Sequence, residues 1–362
     1  MLLRFFYIVP SLVVTLFCAN LQSQNLVQNG GFEDYLQCPV KMSNLNKDAK
    51  HWSAPSLGTT DYFNECSRTK LGIPMNFKGK QAPFEGTAYA GLYLFAPNDY
   101  REYIQVPLTE TLEKGHRYRL KLSLSLAEKS DGAVMDIGAV LSEKPLSIHT
   151  KRQLSHAALT SQSIQTTHMK QFSAEGFYDN KEKWMQLSLD IVAKGFENHL
   201  ILGNFMSNAG THYMDFKNPS PRAEGYSYYY IDDISLTYLG PEYKPNEVYV
   251  LDHVNFNFDR FDLQPKAKQS LKDVFDYLIK NPNLKVSISG HTDDLGSDEY
   301  NDVLSRERAD TVAKYLMELG LEKNRITSKG YGDNVPLDSA QTDQARRKNR
   351  RVEFVMTEFV DQ

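Results

Sequence analysis

The hydrophobic periodicity of this chain changes once, near residue 239, and the change sets how many folding units the chain can form. Before it, apolar and polar residues alternate over residues 118–126 and 185–191, a spacing that is typical of half-buried strands. Turn-forming residues, such as those at 29–31, separate these segments. We therefore predict an all-β sandwich for residues 24–238.

Residues 239–247, which include two prolines and a glycine, fit neither the strand alternation that precedes them nor the helical spacing that follows. This segment is predicted to be the linker. In the rest of the chain, residues 248–362, strand spacing alternates with helical spacing. The predicted strands cover residues 254–258 and 286–290, start again at 326 and cover 352–356, and the predicted helices begin at Pro265 and cover 298–319. The order β-α-β-α-β-β predicts a compact α/β sandwich with both helices on one face of its sheet.

The first residues have the pattern of an export signal. Arg4 precedes an apolar stretch over residues 5–19, and Pro10 interrupts that stretch, which suits a cleaved signal peptide better than a permanent span. We predict a signal peptide over residues 1–23, and a retained anchor is the alternative. With 41 Lys and Arg against 45 Asp and Glu, the formal charge is −4, which excludes a chain that coats nucleic acid.

Cysteine usage agrees with export. One of the three cysteines, Cys18, lies in the predicted signal peptide, which leaves Cys38 and Cys66 as an even pair. In an oxidising compartment such a pair predicts a disulfide, and two free buried thiols are the alternative. Zinc is not indicated, because no CxxC or close Cys/His pairing accompanies these residues.

A dense motif follows the second predicted strand of the C-terminal region. Residues 290–312 read G-H-T-D-x-x-G-x-x-x-x-N-x-x-L-S-x-x-R-A-x-x-V, and G-Y-G and N-R-R-V-E follow at 330–332 and 349–353. From about residue 248 to 358 the chain closely resembles the C-terminal peptidoglycan-binding domain of the OmpA family. In that family, the acid of the HTD motif and the arginine of the LSxxRA motif recognise diaminopimelate in the peptide stems. The resemblance therefore implies these roles for Asp293 and Arg308, and it places Arg350 near the pocket.

The residues themselves fit that chemistry. Asn301, Ser305 and Arg308 follow one another at helical spacing, so they share one stripe of the predicted helix, while Asp293 and its neighbour Thr292 follow a strand end. We predict that all five residues belong to the peptidoglycan-binding site. A fixed carboxylate beside a planar guanidinium complements a ligand that carries an ammonium and a carboxylate. An internal ion pair between Asp293 and Arg308 is the alternative. Such a pair breaks no bond, so we predict binding and no enzymatic activity.

The N-terminal region carries a weaker resemblance. Residues 26–33 and 230–236 resemble the first and last strands of galactose-binding-like or carbohydrate-binding-module jelly rolls. In those modules the two strands lie close together, often with a structural calcium between their acidic ends. The resemblance makes Glu33 and Asp232 candidate calcium ligands, since calcium prefers oxygen. Turn capping by both carboxylates is the alternative, and no other cofactor is expected.

Together these features predict an exported component of a Gram-negative envelope, in the outer membrane or periplasm, that anchors to peptidoglycan. Its N-terminal domain would engage an outer-membrane protein or a glycan. The alternative is a glycan-binding or adhesive surface module that the wall-binding domain merely positions. For that alternative, exposed aromatic side chains could stack on sugar rings, whereas most aromatics in a sandwich belong to its core. The candidates in this region are Trp52, Tyr62, Phe63, Tyr89, Tyr93, Tyr100 and Tyr103.

Overall fold

The computed structural model describes residues 24–173, 176–216, 225–251 and 263–358. The predicted signal peptide and the predicted strand at 254–258 lie outside these residues. Within them, no helix combines the length and the hydropathy needed to cross a membrane.

The N-terminal region is built mostly of β-strands with two short helices. Its strands are β1 (Asp61–Asn64), β2 (Met75–Asn76), β3 (Gly79–Lys80), β4 (Ala88–Phe95), β5 (Tyr103–Pro107), β6 (His116–Leu126), β7 (Gly132–Val134), β8 (Gly138–Ser142), β9 (Lys170–Gln171), β10 (Met185–Val192), β11 (His199–Gly203), β12 (Tyr213–Asp215) and β13 (Ser227–Pro241). Its helices are α1 (Leu45–Asp48) and α2 (His156–Thr160).

Two antiparallel sheets dominate this region. One has the strand order β1-β4-β13-β6-β10 and the other β5-β11-β8-β9. The alternating apolar residues of β6, from Tyr118 to Leu126, enter one core together with Leu200 and Leu202 of β11. Alternation predicted these strands because a half-buried sheet places every second side chain in the core.

Most of the aromatic residues that could have stacked on sugars are buried. Trp52 and Tyr62 belong to the core between the sheets, Tyr103 to a neighbouring cluster, and Tyr89 packs with Phe63 on the other face of the five-stranded sheet. Only Tyr93 and Tyr100 of that set are partly exposed. Core packing, the alternative given above, accounts for five of the seven.

The disulfide between Cys38 and Cys66 is formed, with the two Cα atoms 5.9 Å apart. The beginning and the end of the N-terminal region also lie side by side. The amide of Leu26 donates to the Leu236 carbonyl at 2.8 Å, and the amide of Ile234 donates to the Gly30 carbonyl at 3.0 Å.

The C-terminal region alternates strands and helices. Its elements are β14 (Val248–Val250), α3 (Pro265–Lys280), β15 (Leu284–Gly290), α4 (Asp298–Glu318), β16 (Ile326–Gly330), α5 (Asp343–Asn349) and β17 (Val352–Glu358). The sheet order is β14-β17-β15-β16, with β15 parallel to β16 and the other pairs antiparallel. Buried apolar residues of α3, α4 and the sheet form one core, among them Leu271, Val274, Val286, Ile288, Val312 and Leu316.

Three features differ from the sequence-based expectations. Helix α5 and strand β14 were not predicted. The predicted linker, residues 239–247, begins too early, because β13 continues through Pro241 and pairs Gly240 and Pro241 with Arg117 and His116 of β6. A register shift between Tyr238 and Gly240 lets the strand continue where the apolar alternation has already ended.

Candidate functional site

The candidate site lies at the ends of the parallel strands β15 and β16. After Gly290 the chain stays attached to its neighbours, since the amide of His291 donates to the Arg351 carbonyl and that of Thr292 to the Gly332 carbonyl, at 3.0 and 2.9 Å. These bonds hold Asp293 close to the C-terminal end of β15. Its carboxylate is largely buried, with 10% of the side chain exposed.

Asp293 forms an ion pair with Arg350. Nη1 of Arg350 donates to Oδ2 of Asp293 at 2.5 Å, and Oδ1 accepts from the amide of Leu295 at 3.3 Å. Arg350 follows α5, 57 residues away in sequence, and 41% of its side chain is exposed. Arg350, the arginine that the resemblance placed near the pocket, therefore forms an ion pair with the Asp293 carboxylate.

Helix α4 supplies the other predicted residues. It begins after Ser297, whose hydroxyl accepts from the amide of Tyr300 at 3.3 Å and so caps the first turn. Asn301, Ser305 and Arg308 are all buried on the side of α4 that faces the sheet. This stripe is the one that the helical spacing predicted.

Glycine residues allow α4 to lie against the strand ends. A Cβ at Gly290 would come within 2.0 Å of the Ser305 carbonyl oxygen. A Cβ at Gly330 would come within 2.5 Å of both the Arg306 amide nitrogen and the Ser305 hydroxyl oxygen. Only glycine permits backbones to approach this closely, so both glycines set the distance between α4 and the sheet.

Arg308 reaches from α4 to the loop that carries Asp293. Its Nη1 donates to the His291 carbonyl at 3.2 Å. Burial lowers the pKa of Arg308, and the nearby Asp293 carboxylate opposes that shift while Arg350 adds to it. Among the described residues, the Arg308 and Arg350 guanidinium groups therefore both lie close to the Asp293 carboxylate.

The hydroxyl and amide side chains of the site have different partners. Asn301 donates from Nδ2 to the Asp293 carbonyl at 3.3 Å. The Ser305 hydroxyl donates to the Asp302 carbonyl at 3.0 Å and accepts from the Gly332 amide at 2.9 Å, so it joins α4 to the loop after β16. Thr292 is buried, and its hydroxyl has no hydrogen-bond partner among the described residues.

The loops around the site are held by residues that the sequence-based prediction of the site did not include. Arg346 of α5 forms a two-bond ion pair with Asp294, at 2.6 and 3.2 Å. Asn349 accepts from the amides of Leu337 and Asp338 at 2.9 and 3.1 Å. The one signal for α5 was Thr342, whose hydroxyl accepts from the Ala345 amide and caps the helix.

His291 belongs to the surroundings of the site. Its ring stacks on Tyr331 with 5.5 Å between centroids, and Nε2 lies 3.4 Å from a carboxylate oxygen of Glu353. Burial lowers the pKa of His291, and the neighbouring Arg351 guanidinium lowers it further. These contacts favour a neutral imidazole that packs against the loop.

The two candidate calcium ligands lie at one corner of the N-terminal region. Glu33 accepts from the Thr87 hydroxyl at 2.7 Å, and Asp232 accepts from the Phe84 amide at 2.9 Å and from the amide of the following residue. Turn capping is therefore observed. Across the described residues, no cluster of three or more His, Cys, Asp or Glu could hold a metal. A calcium ion here would need main-chain carbonyls and water beside these two carboxylates, and the site stays a prediction.

Comparison with known proteins identifies the class of the C-terminal region. Residues 255–350 match the OmpA family. The outer membrane porin F of Pseudomonas fluorescens is 39% identical over 100 residues, which cover 28% of this chain and 31% of that protein. The peptidoglycan-associated lipoprotein of Legionella pneumophila is 38% identical over 100 residues, which cover 28% of this chain and 57% of that protein.

Among solved structures, the peptidoglycan-associated lipoprotein from Burkholderia pseudomallei is 28% identical, with a TM-score of 0.27 and coverage of 28% of this chain and 86% of that one. The chain spans less than two thirds of the curated relatives named above. The C-terminal part of this chain is thus an OmpA-family domain.

Proposed function

We propose that the C-terminal domain binds peptidoglycan non-covalently, through the diaminopimelate of the stem peptides. One observation carries the proposal: the fold brings Asp293, Arg308 and Arg350 together at the ends of β15 and β16, although they are far apart in sequence. One carboxylate beside two guanidinium groups complements a zwitterionic amino acid head. The name of the Legionella relative, a peptidoglycan-associated lipoprotein, supports peptidoglycan as the polymer that the domain binds.

The observed ion pair suggests how the ligand enters. Asp293 is nearly buried, whereas Arg350 is 41% exposed and can leave without disturbing the core. The ligand ammonium replaces Arg350 on the Asp293 carboxylate. The ligand carboxylate then pairs with the guanidinium groups of Arg308 and Arg350. One internal ion pair is exchanged for pairs of both signs with the ligand, each charge-assisted bond contributing about 1.5–3 kcal/mol.

The site offers binding and positioning, and no step breaks a bond. Wall binding by the C-terminal domain would anchor whatever the N-terminal region engages, an outer-membrane protein or a glycan. The relatives are outer-membrane and peptidoglycan-associated proteins by name, which supports a location in the outer membrane or periplasm of a Gram-negative envelope.

Retention on purified sacculi tests this proposal. We expect Asp293→Asn and Arg308→Gln to lower the affinity of the chain from Gln24 onward at least about tenfold, because each removes one charge-assisted bond. Asp276→Asn is the matched control. It removes an exposed carboxylate of α3, a helix that contributes no residue to the site, and its replacement is expected to leave retention unchanged. Melting curves by circular dichroism confirm that each variant is folded. Equal retention of all three variants would contradict the proposal.

We also propose that residues 24–238 form a jelly roll of the galactose-binding-like type. The two antiparallel sheets around one core and the adjacent first and last segments support this assignment. The burial of most candidate aromatics removes the main support for a glycan-binding face. A glycan array probed with the chain from Gln24 onward tests the adhesive alternative, and binding that survives Asp293→Asn would favour it.

A further inference from the structure

One exposed loop of the N-terminal region is unusually apolar. Of 17 exposed large apolar side chains in the described part of the chain, four lie in residues 35–42. They are Tyr35, Leu36, Val40 and Met42, with exposed fractions of 47%, 64%, 62% and 56%. Scattered apolar side chains are ordinary on a protein surface, but a concentrated group indicates an interaction site.

The backbone of this loop is held at several points. Leu36 donates from its amide to the Asp48 carbonyl at 2.7 Å, and Ser43 donates to Oδ1 of Asp61 at 2.7 Å. Between them, the disulfide fixes Cys38 to Cys66, and the hydroxyl of Ser67 donates to the Pro39 carbonyl at 2.7 Å. The apolar side chains therefore point outward from an ordered backbone, which lowers the entropic cost of binding.

The charged residues of this loop and of the segment that the disulfide joins to it are basic. Across residues 35–47 and 66–70, two segments joined by the disulfide, every charged residue is basic, whereas Asp34, Asp48 and Glu65 lie just outside them. The whole chain has a formal charge of −4, so this local positive charge runs against the overall balance. The exposed cations are Lys41, Lys47, Arg68 and Lys70.

We propose that residues 35–42, together with these cations, dock the N-terminal region on the surface of an anionic lipid bilayer. Exposed aliphatic and aromatic side chains enter the boundary between headgroups and acyl chains, and lysine and arginine attract anionic headgroups. This combination of exposed apolar side chains and exposed basic residues matches such a surface in both polarity and charge. The function is separate from wall binding and would place the two ends of the chain on two different layers.

Flotation with lipid vesicles tests the proposal. The chain from Gln24 onward is used, so that the apolar stretch at residues 5–19 cannot itself enter the lipid. Vesicles of phosphatidylethanolamine with phosphatidylglycerol are compared with vesicles of phosphatidylcholine alone. The loop variant carries Leu36→Ser, Val40→Ser and Met42→Ser. The matched control carries three similar changes at exposed apolar sites elsewhere, Val192→Ser, Ile279→Ser and Met317→Ser.

We expect the parent chain to float with the anionic vesicles. Burying the exposed part of each apolar side chain favours the bound form roughly fivefold, so the loop variant should bind about a hundredfold more weakly. Each cation contributes roughly fivefold on an anionic surface only, so Lys41→Ser with Arg68→Ser should weaken binding to those vesicles and not to phosphatidylcholine. The control variant should float like the parent chain.

Several outcomes would overturn the proposal. The proposal fails if the parent chain does not float, or if the loop variant floats as well as the control. It also fails if the parent chain does not float but self-associates, and the loop variant does not self-associate. The last result would assign the surface to a second copy of the chain. Retention of the loop variant on sacculi should be unchanged, so a failure of lipid binding is distinguishable from a failure of wall binding.

Discussion

Replacing Ser305 by alanine separates a structural role of its hydroxyl from a role in ligand binding. The side chain is fully buried, and its hydroxyl accepts from the Gly332 amide at 2.9 Å. Alanine leaves this buried amide without its partner, at a cost of about 1–3 kcal/mol. Alanine also favours the helix, by about 0.5 kcal/mol. We therefore expect the free energy of unfolding of the C-terminal domain to fall by about 0.5–2.5 kcal/mol.

Denaturation followed by two probes measures this change. Both tryptophans, Trp52 and Trp184, lie in the N-terminal region, and the two long helices α3 and α4 lie in the C-terminal one. Helical circular dichroism therefore follows the domain that carries the substitution, and tryptophan fluorescence follows the other. The matched control is Thr311→Ala, which removes a surface hydroxyl of the same helix that donates to the Glu307 carbonyl at 2.8 Å. Its effect should stay within about 0.5 kcal/mol.

The folded Ser305→Ala protein should bind sacculi within about threefold of the parent chain, because both partners of the hydroxyl are backbone groups. A protein of unchanged stability that loses binding as completely as Asp293→Asn would refute this assignment. The hydroxyl would then serve the ligand, as the sequence pattern first suggested.

Three further outcomes are expected. Cys38→Ser with Cys66→Ser removes a crosslink between residues 28 apart and should lower the stability of the N-terminal region by about 3–4 kcal/mol in fluorescence denaturation; an unchanged midpoint would show that the crosslink is not used. Burial raises the pKa of Glu102 to about 7 from an ordinary value of 4.5, so between these pH values the folded protein holds a proton that the unfolded chain has lost. The free energy of unfolding should therefore fall as the pH rises across that interval, and Glu102→Gln should flatten this dependence of stability on pH. Calcium should raise the melting temperature of the parent chain and not of Glu33→Gln, whereas no shift in either protein would leave Glu33 and Asp232 as turn caps.

Strongly periodic segments were the predictable part of the fold. The predicted helix at 298–319 is Asp298–Glu318 in the structure, and the strand predicted to end at Gly290 does so. In both, one buried face fixes the spacing of the apolar residues. Helix α5 has no such pattern, because Ala345 is its only buried apolar residue. Its cap, Thr342, was readable, but a capping residue without apolar periodicity is a weak signal.

The sequence predicted which element carries each site residue, but not which of these residues contact one another. The motif placed Asp293 after a strand and Arg308 on a helix, and both lie where they were expected. As the internal partner of Asp293, the sequence suggested Arg308, whereas the structure records an ion pair with Arg350. That pairing depends on how α5 delivers the chain to β17. No local pattern encodes such a contact between residues 57 apart.

The glycines of the motif explain why its spacing is so strict. Any side chain at Gly290 would meet the Ser305 carbonyl, and any side chain at Gly330 would meet the backbone of Arg306, so either substitution pushes α4 away from the sheet. Arg308 lies less than one turn beyond Ser305 and would move with the helix. A carboxylate and a guanidinium can both bind one zwitterion only if the distance between them matches the distance between its two charges. Gly290 and Gly330 therefore define the site as firmly as Asp293 does, although neither offers a side chain to the ligand.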